Sequence, residues 1–165
     1  VNSINFIDGI DGLAITEVIK TIFLIEFFSS QDTELLTLSL ILLGCIVPLY
    51  YFNFKKKRKI FLGDGGSLLL GTIVAIYIFY ILSDAAIFSQ KIKINKVLFS
   101  IMILIYPLTD LLRVFLIRIK NRSSPFRPDN NHLHHIMIKK GFSHFSINLI
   151  LLTINLLIFI FLWTF

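Results

Sequence analysis

Phe61–Ser83 reads FLGDGGSLLLGTIVAIYIFYILS. Its head is polar and rich in glycine, with Asp64 set among Gly63, Gly65 and Gly66; its body, Gly66 to Ser83, carries no charge. A helix rises about 1.5 Å per residue, so ~20 apolar residues cross the ~30 Å hydrocarbon layer of a bilayer. The stretch predicts a membrane-spanning helix with a carboxylate at its entry.

Outward from it, Leu35 to Phe52 and Ser146 to Phe165 are equally free of charge. Val97 to Ile117 is interrupted only by Asp110 and Arg113, and Ile10 to Phe28 by Glu17, Lys20 and Glu26. The expected fold is all-α: a multi-pass transmembrane helical bundle of five spanning helices, one domain over residues 1–165. Pro48 and Pro107 fall inside two of these runs, which membrane helices tolerate where neighbours satisfy the freed backbone groups.

Composition agrees. The chain has 165 residues, 56% hydrophobic and only 16% charged, against roughly 25% charged in soluble domains. Its mean hydropathy is +0.82. So little polar surface cannot cover that apolar content in water, which excludes a disordered tail and argues against a soluble globule. The net charge of +6 sits in short blocks between apolar runs, rather than on a polar face of the kind nucleic acid needs. No nucleic-acid partner is expected. Cys45, alone in an apolar run, excludes a disulfide framework and a thiolate metal site.

With five spans, residues 1–9, 53–65 and 118–145 share one side of the membrane. They hold the block KKKRK (Lys55–Lys59), Arg118, Lys120, Arg122, Arg127, Lys139 and Lys140. The excess of positive charge predicts that this side is cytoplasmic, with 118–145 a cytoplasmic loop. The polar motifs INFIDGIDG, FLGDGGS and SPFRPDNNHLHH then all lie on that side, as an active site at a membrane surface would require.

Asn5, Asp8 and Asp11 are spaced three apart. On a helix this offsets successive residues by about 60° and puts them on one face. Oxygen donors so grouped suit a hard cation that bridges to phosphates; alternatively, Asp8 caps a helix, and Gly9 and Gly12 mark turns. Asp64 precedes an apolar helix whose free N–H groups suit a phosphate, although the Gly-Lys-Ser/Thr ending of a P-loop is missing. Asp64 as a plain helix N-cap is the alternative. His132, His134 and His135 form HLHH. Without a cysteine or a closed ligand set they fit donors to phosphate or sugar better than zinc ligands. Arg127 in the same loop has the forked geometry that matches phosphate or sugar oxygens. Asp110 with Arg113, and Glu17 with Lys20, read as i, i+3 ion pairs.

NFIDGIDGLA, FLGDGGSLLLG, PLTDLLRV and SPFRPDNNHLHH, in this order and separated by apolar helices, resemble the polyprenyl-phosphate N-acetylhexosaminyl-1-phosphate transferases, glycosyltransferase family 4. HLHH after SPFRPD resembles the undecaprenyl-phosphate GlcNAc-1-phosphate branch. The resemblance implies transfer of a HexNAc-1-phosphate from a UDP-N-acetylhexosamine, UDP-GlcNAc first, to a polyprenyl phosphate with release of UMP. It implies Mg²⁺, with Mn²⁺ an alternative, a bacterial inner membrane setting among membrane lipid, an active site on the cytoplasmic face, a cell-wall or surface-glycan product, and room for a homo-oligomer. Carried over by motif, Asp64 is the metal ligand and Asp8, Asp11 and His134 are catalytic. Asn5, Arg127, His132 and His135 bind substrate. Family members also carry an Asp-Asp pair in an earlier half, which this sequence does not contain. The chain resembles the C-terminal half, and is expected to be a piece of a longer transferase that is inactive alone. A transporter or channel using Asp110 and Arg113, and a noncatalytic membrane remnant, are the other readings.

Overall fold

Gly12 decides where the central helix begins. Its φ of +77° is a conformation that side-chain-bearing residues avoid, and it turns the chain sharply before the helix starts at Leu13. Asn53 locks the turn from another part of the chain: its Oδ1 accepts the Gly12 N–H at 2.6 Å, while its Nδ2 donates to the Ile60 carbonyl at 2.8 Å.

The computed structural model describes residues 1–29, 35–83, 95–124 and 131–164. Among these are eight helices: α1 (Asn2–Ile7), α2 (Leu13–Phe28), α3 (Leu36–Phe54), α4 (Gly63–Leu82), α5 (Lys96–Ile103), α6 (Ile105–Lys120), α7 (Leu133–Lys139) and α8 (His144–Thr164). The fold is an all-α, multi-pass membrane bundle. Helices α3, α4 and α8 are each long and apolar enough to cross a bilayer. Their outer faces expose large apolar side chains, among them Leu40, Ile41, Leu69, Phe79, Leu157 and Phe161. Such a surface suits hydrocarbon and not water.

Among the described residues the expectation of five spans is corrected to three, or four if α5 and α6 together make one. These two meet at a bend of 71°. Pro107 lacks an N–H and its ring crowds the preceding turn, so it is accommodated in the first turn of a new helix rather than inside one continuous helix. The weak first span fails for another reason. Helix α2 has 16 residues, about 24 Å of helix, because the Gly12 turn removes its N-terminal residues from the helix. It is also the core of the bundle, packed on α1, α3, α4 and α8. Ala14, Val18, Ile22 and Ile25 are buried there, and so is the Glu17–Lys20 ion pair that the i, i+3 spacing predicts. Removing one member of such a pair would strand a buried charge.

Candidate active site

The three-residue spacing of Asn5, Asp8 and Asp11 does not lie on one continuous helix. Helix α1 stops at Ile7 with Asp8 as its C-cap residue, and the turn through Gly9 to Gly12 sends Asp11 elsewhere. Asn5 faces α4, where its Nδ2 donates to Ser67 Oγ at 2.7 Å and, at 3.5 Å, to Asp64 Oδ1. Asp11 faces the segment between α3 and α4 and the start of α8: Lys59 Nζ donates to its Oδ2 at 2.6 Å, and His144 Nδ1 lies 2.8 Å from the same oxygen. Asn148 Nδ2 holds the Asp11 carbonyl at 2.8 Å. All three carboxylates nevertheless meet, because Asp8, Asp11 and Asp64 line one cleft of about 360 Å³ together with Asn53, Lys59 and His144.

Asp64 is the second residue of α4, not its cap; the residue before the helix is Leu62, and no side chain caps that end. The helix therefore begins with uncapped N–H groups beside a carboxylate, a setting for phosphate oxygens and the cation they carry. Repulsion within the cleft registers on Asp8. Burial first, then the charges of Asp64 and Asp11, push its carboxyl up to about 7. A divalent cation would relieve this strain. Among the described residues no three His, Cys, Asp or Glu side chains form a closed metal cage. Oxygen donors from one or two carboxylates, with the remainder left to water and phosphate, fit the way Mg²⁺ is held.

His132, His134 and His135 do not line this cleft; they pack against α1 and the Gly9 turn. His132 stacks on Phe6 with ring centroids 5.9 Å apart, and on His134 at 5.6 Å; His135 is tilted 4.3 Å from His134. His134 is fully buried, and neither of its ring nitrogens has a hydrogen-bond partner among the described residues. Each such orphan costs about 1–3 kcal/mol. Gly9 allows the approach: a Cβ there would sit 2.4 Å from His134 Nε2. Burial, with the neighbouring His135, holds the His134 ring down to about 3. Arg127 lies outside the described residues.

A pH dependence follows. The folded pKa of His134 is below its ordinary value of 6.5, so as pH falls from 6.5 towards 3 the unfolded chain gains a proton that the folded chain refuses. His134 therefore makes stability decline on acidification, by about 1.4 kcal/mol per pH unit. His134→Gln is expected to flatten the acid limb of the thermal midpoint measured in detergent between pH 6.5 and 4. An unchanged slope would show that the ring is not held neutral.

Sequence reasoning missed Lys59, His144, Asn53 and Ser67. Lys59 was legible only as one member of a basic block, and His144 stands just before an apolar run. Nothing in local spacing ties His144 to an aspartate 133 residues away. Asp110 pairs with Arg113 at 2.8 Å as expected, but it also reaches His132 at 2.8 Å.

The family model described as glycosyl transferase family 4 matches residues 1–83. The chain is 33% identical to a decaprenyl-phosphate N-acetylglucosaminephosphotransferase of Mycobacterium leprae, over 87% of this chain and 40% of that protein. It is also 33% identical to a probable undecaprenyl-phosphate N-acetylglucosaminyl 1-phosphate transferase of Bacillus subtilis, over 87% of this chain and 38% of that one. Identity to the undecaprenyl-phosphate alpha-N-acetylglucosaminyl 1-phosphate transferase of Escherichia coli K12 is 32%, over 87% and 39%. The chain thus spans about two fifths of the length of these curated relatives. No solved structure matches it. The matched model covers the DGIDG turn and the Asp64 helix entry, the two segments whose carboxylates share the cleft, and the chain belongs to glycosyl transferase family 4.

Proposed function

We propose that this chain contributes the Asp8–Asp64 cleft and the histidine face of an enzyme that transfers a HexNAc-1-phosphate from a UDP-sugar to a polyprenyl phosphate, releasing UMP. UDP-GlcNAc is the favoured donor, because the relatives carry N-acetylglucosamine in their names. The observation that carries the reading is the meeting of Asp8, Asp11 and Asp64 in one cleft, with Asp8 raised to about 7 by burial and by the other two. Such an excess of carboxylate at a membrane boundary is costly unless a cation and a polyphosphate complete it.

In this reading a lipid phosphate oxygen attacks the sugar-bearing phosphorus, the bond to the UMP oxygen breaks, and UMP leaves with that electron pair. Phosphoryl transfer needs positioning and charge neutralisation more than covalent help. Asp64 and Asp8 would hold Mg²⁺, which would supply Lewis-acid neutralisation of diphosphate charge. Asn5, itself held by Ser67, orients the Asp64 carboxylate. Lys59 and His144 keep Asp11 in the cleft wall. The orphaned nitrogens of His134 are the reserve of hydrogen bonding that a phosphate or sugar would use, with His132 and His135 beside it; Arg127 is assigned to the same substrate oxygens by its motif. The cleft end of the bundle faces the cytoplasm, as the basic blocks around it favour.

Membranes carrying the intact protein, supplied with labelled UDP-GlcNAc and polyprenyl phosphate, are expected to form labelled lipid and UMP in equal amounts. EDTA is expected to stop both and added Mg²⁺ to restore them. Failure to form lipid product from any UDP-N-acetylhexosamine would refute the reading.

A further inference from the structure

Asp110 stands on α6 with 3% of its surface exposed, and each of its two oxygens is committed. Oδ1 accepts the Leu133 backbone N–H at 3.0 Å and the Arg113 guanidinium at 2.8 and 3.2 Å. Oδ2 lies 2.8 Å from His132 Nδ1. An ionised carboxylate only accepts hydrogen bonds. The proton between them therefore belongs to Nδ1, and in the neutral ring Nε2 is left bare. Stacking on Phe6 and His134 fixes the plane of the same ring. The Leu133 bond ties the first turn of α7, which carries His134, to α6. One carboxylate thus sets both the tautomer of His132 and the seat of the helix that follows it.

We propose that Asp110 is a positioning residue, which holds His132 with its proton on Nδ1 and its Nε2 free to meet the phosphate or sugar of the donor. The part of this that concerns turnover rests on the function proposed above. Asp110 itself stays ionised and takes no proton. It acts by deciding which nitrogen of His132 can accept a proton or, once the ring is charged, donate one.

The geometry dictates what Asp110→Asn does. Leu133 N–H and the Arg113 guanidinium have no acceptor to offer, so the asparagine oxygen must take the Oδ1 place and its NH₂ the Oδ2 place. That NH₂ faces His132 Nδ1 and can only donate. Nδ1 must then be bare, and the neutral ring carries its proton on Nε2. Every hydrogen bond is kept and the fold with it, yet the tautomer is reversed.

The test is ¹⁵N NMR of the intact, histidine-labelled protein in detergent, at a pH where the ring is neutral, with the His132 signals identified by their loss in His132→Gln. The wild type is expected to show a protonated Nδ1 and a bare Nε2, Asp110→Asn the reverse, and Asp110→Glu the wild-type pattern. The same tautomer in wild type and Asp110→Asn, or a wild type protonated at Nε2, overturns the proposal. In the transfer assay Asp110→Asn is expected to lower kcat by about 10²- to 10⁴-fold, the range that a correctly positioned proton donor or acceptor contributes. KM for the UDP-sugar should move only a few-fold, and Asp110→Glu should recover part of the rate. Full-rate transfer by Asp110→Asn with a reversed tautomer would overturn the positioning role. A wild type that transfers nothing counts against the proposed function instead, and the NMR result then decides the Asp110–His132 pair alone.

Discussion

On the proposed function, Asp64→Asn in the intact protein is expected to lower transfer of sugar phosphate to the lipid by about 10³-fold, the scale of losing a principal electrostatic element of a reaction site. The substitution keeps the shape of the side chain and removes its charge. Asp64 is exposed in the first turn of α4, and its only hydrogen bond to a side chain among those described is the long one from Asn5, which an amide oxygen also accepts. The bundle should therefore insert and fold as before. With Asp64 neutral, one of the two charges that raise Asp8 is gone, so the Asp8 pKa falls and the cleft loses cation affinity at the same time. The measurement is initial rate against Mg²⁺ concentration. A variant that turned over at near-normal rate and ordinary Mg²⁺ would remove Asp64 from the metal site.

Gly12→Ala is the substitution expected to damage the fold most. A left-handed backbone costs a residue with a Cβ about 1–2 kcal/mol. At φ +77° that Cβ would also lie 2.2 Å from the Phe54 ring and 2.8 Å from Tyr50, and overpacking of this kind costs typically about 1–3 kcal/mol. Together the loss is about 2–5 kcal/mol, a large share of the stability of an ordinary domain. The strain falls on the turn that carries Asp11 and on the bond from Gly12 to Asn53, so transfer should decline along with the thermal midpoint. Gly44→Ala is the control: nothing stands within 4 Å of a Cβ at that position, and alanine favours the helix. Equal midpoints for the two variants would show that the Gly12 turn is not constrained as described.

Much of the fold was legible because lipid selects on composition. The uncharged runs Leu35–Phe52, Gly66–Ser83 and Ser146–Phe165 became α3, α4 and α8 with ends shifted by no more than a few residues. A stretch without charges needs no knowledge of its neighbours to be stable in hydrocarbon. The motifs were legible too, since each is a short local string, and the match over residues 1–83 upholds their resemblance at the level of the family. The i, i+3 pairs Glu17–Lys20 and Asp110–Arg113 formed as read, because helix geometry alone brings such residues together.

Tertiary structure decided the rest, wherever a residue's role depends on which helix packs beside it. Composition alone could not show that α2 lies inside the bundle rather than in lipid, since both settings are apolar. The bend at Leu104 and the left-handed Gly12 divide runs that hydropathy reads as continuous. Asp11 was separated from Asn5 by the end of α1 at Ile7 and found Lys59 and His144 across the bundle. Asp110, read as half of a local ion pair, proved to hold a histidine 22 residues on. Hydrogen bonds between distant segments require two orientations and a packing distance to agree, and a linear sequence records none of the three; the burial that makes such bonds matter exists only once the helices have met.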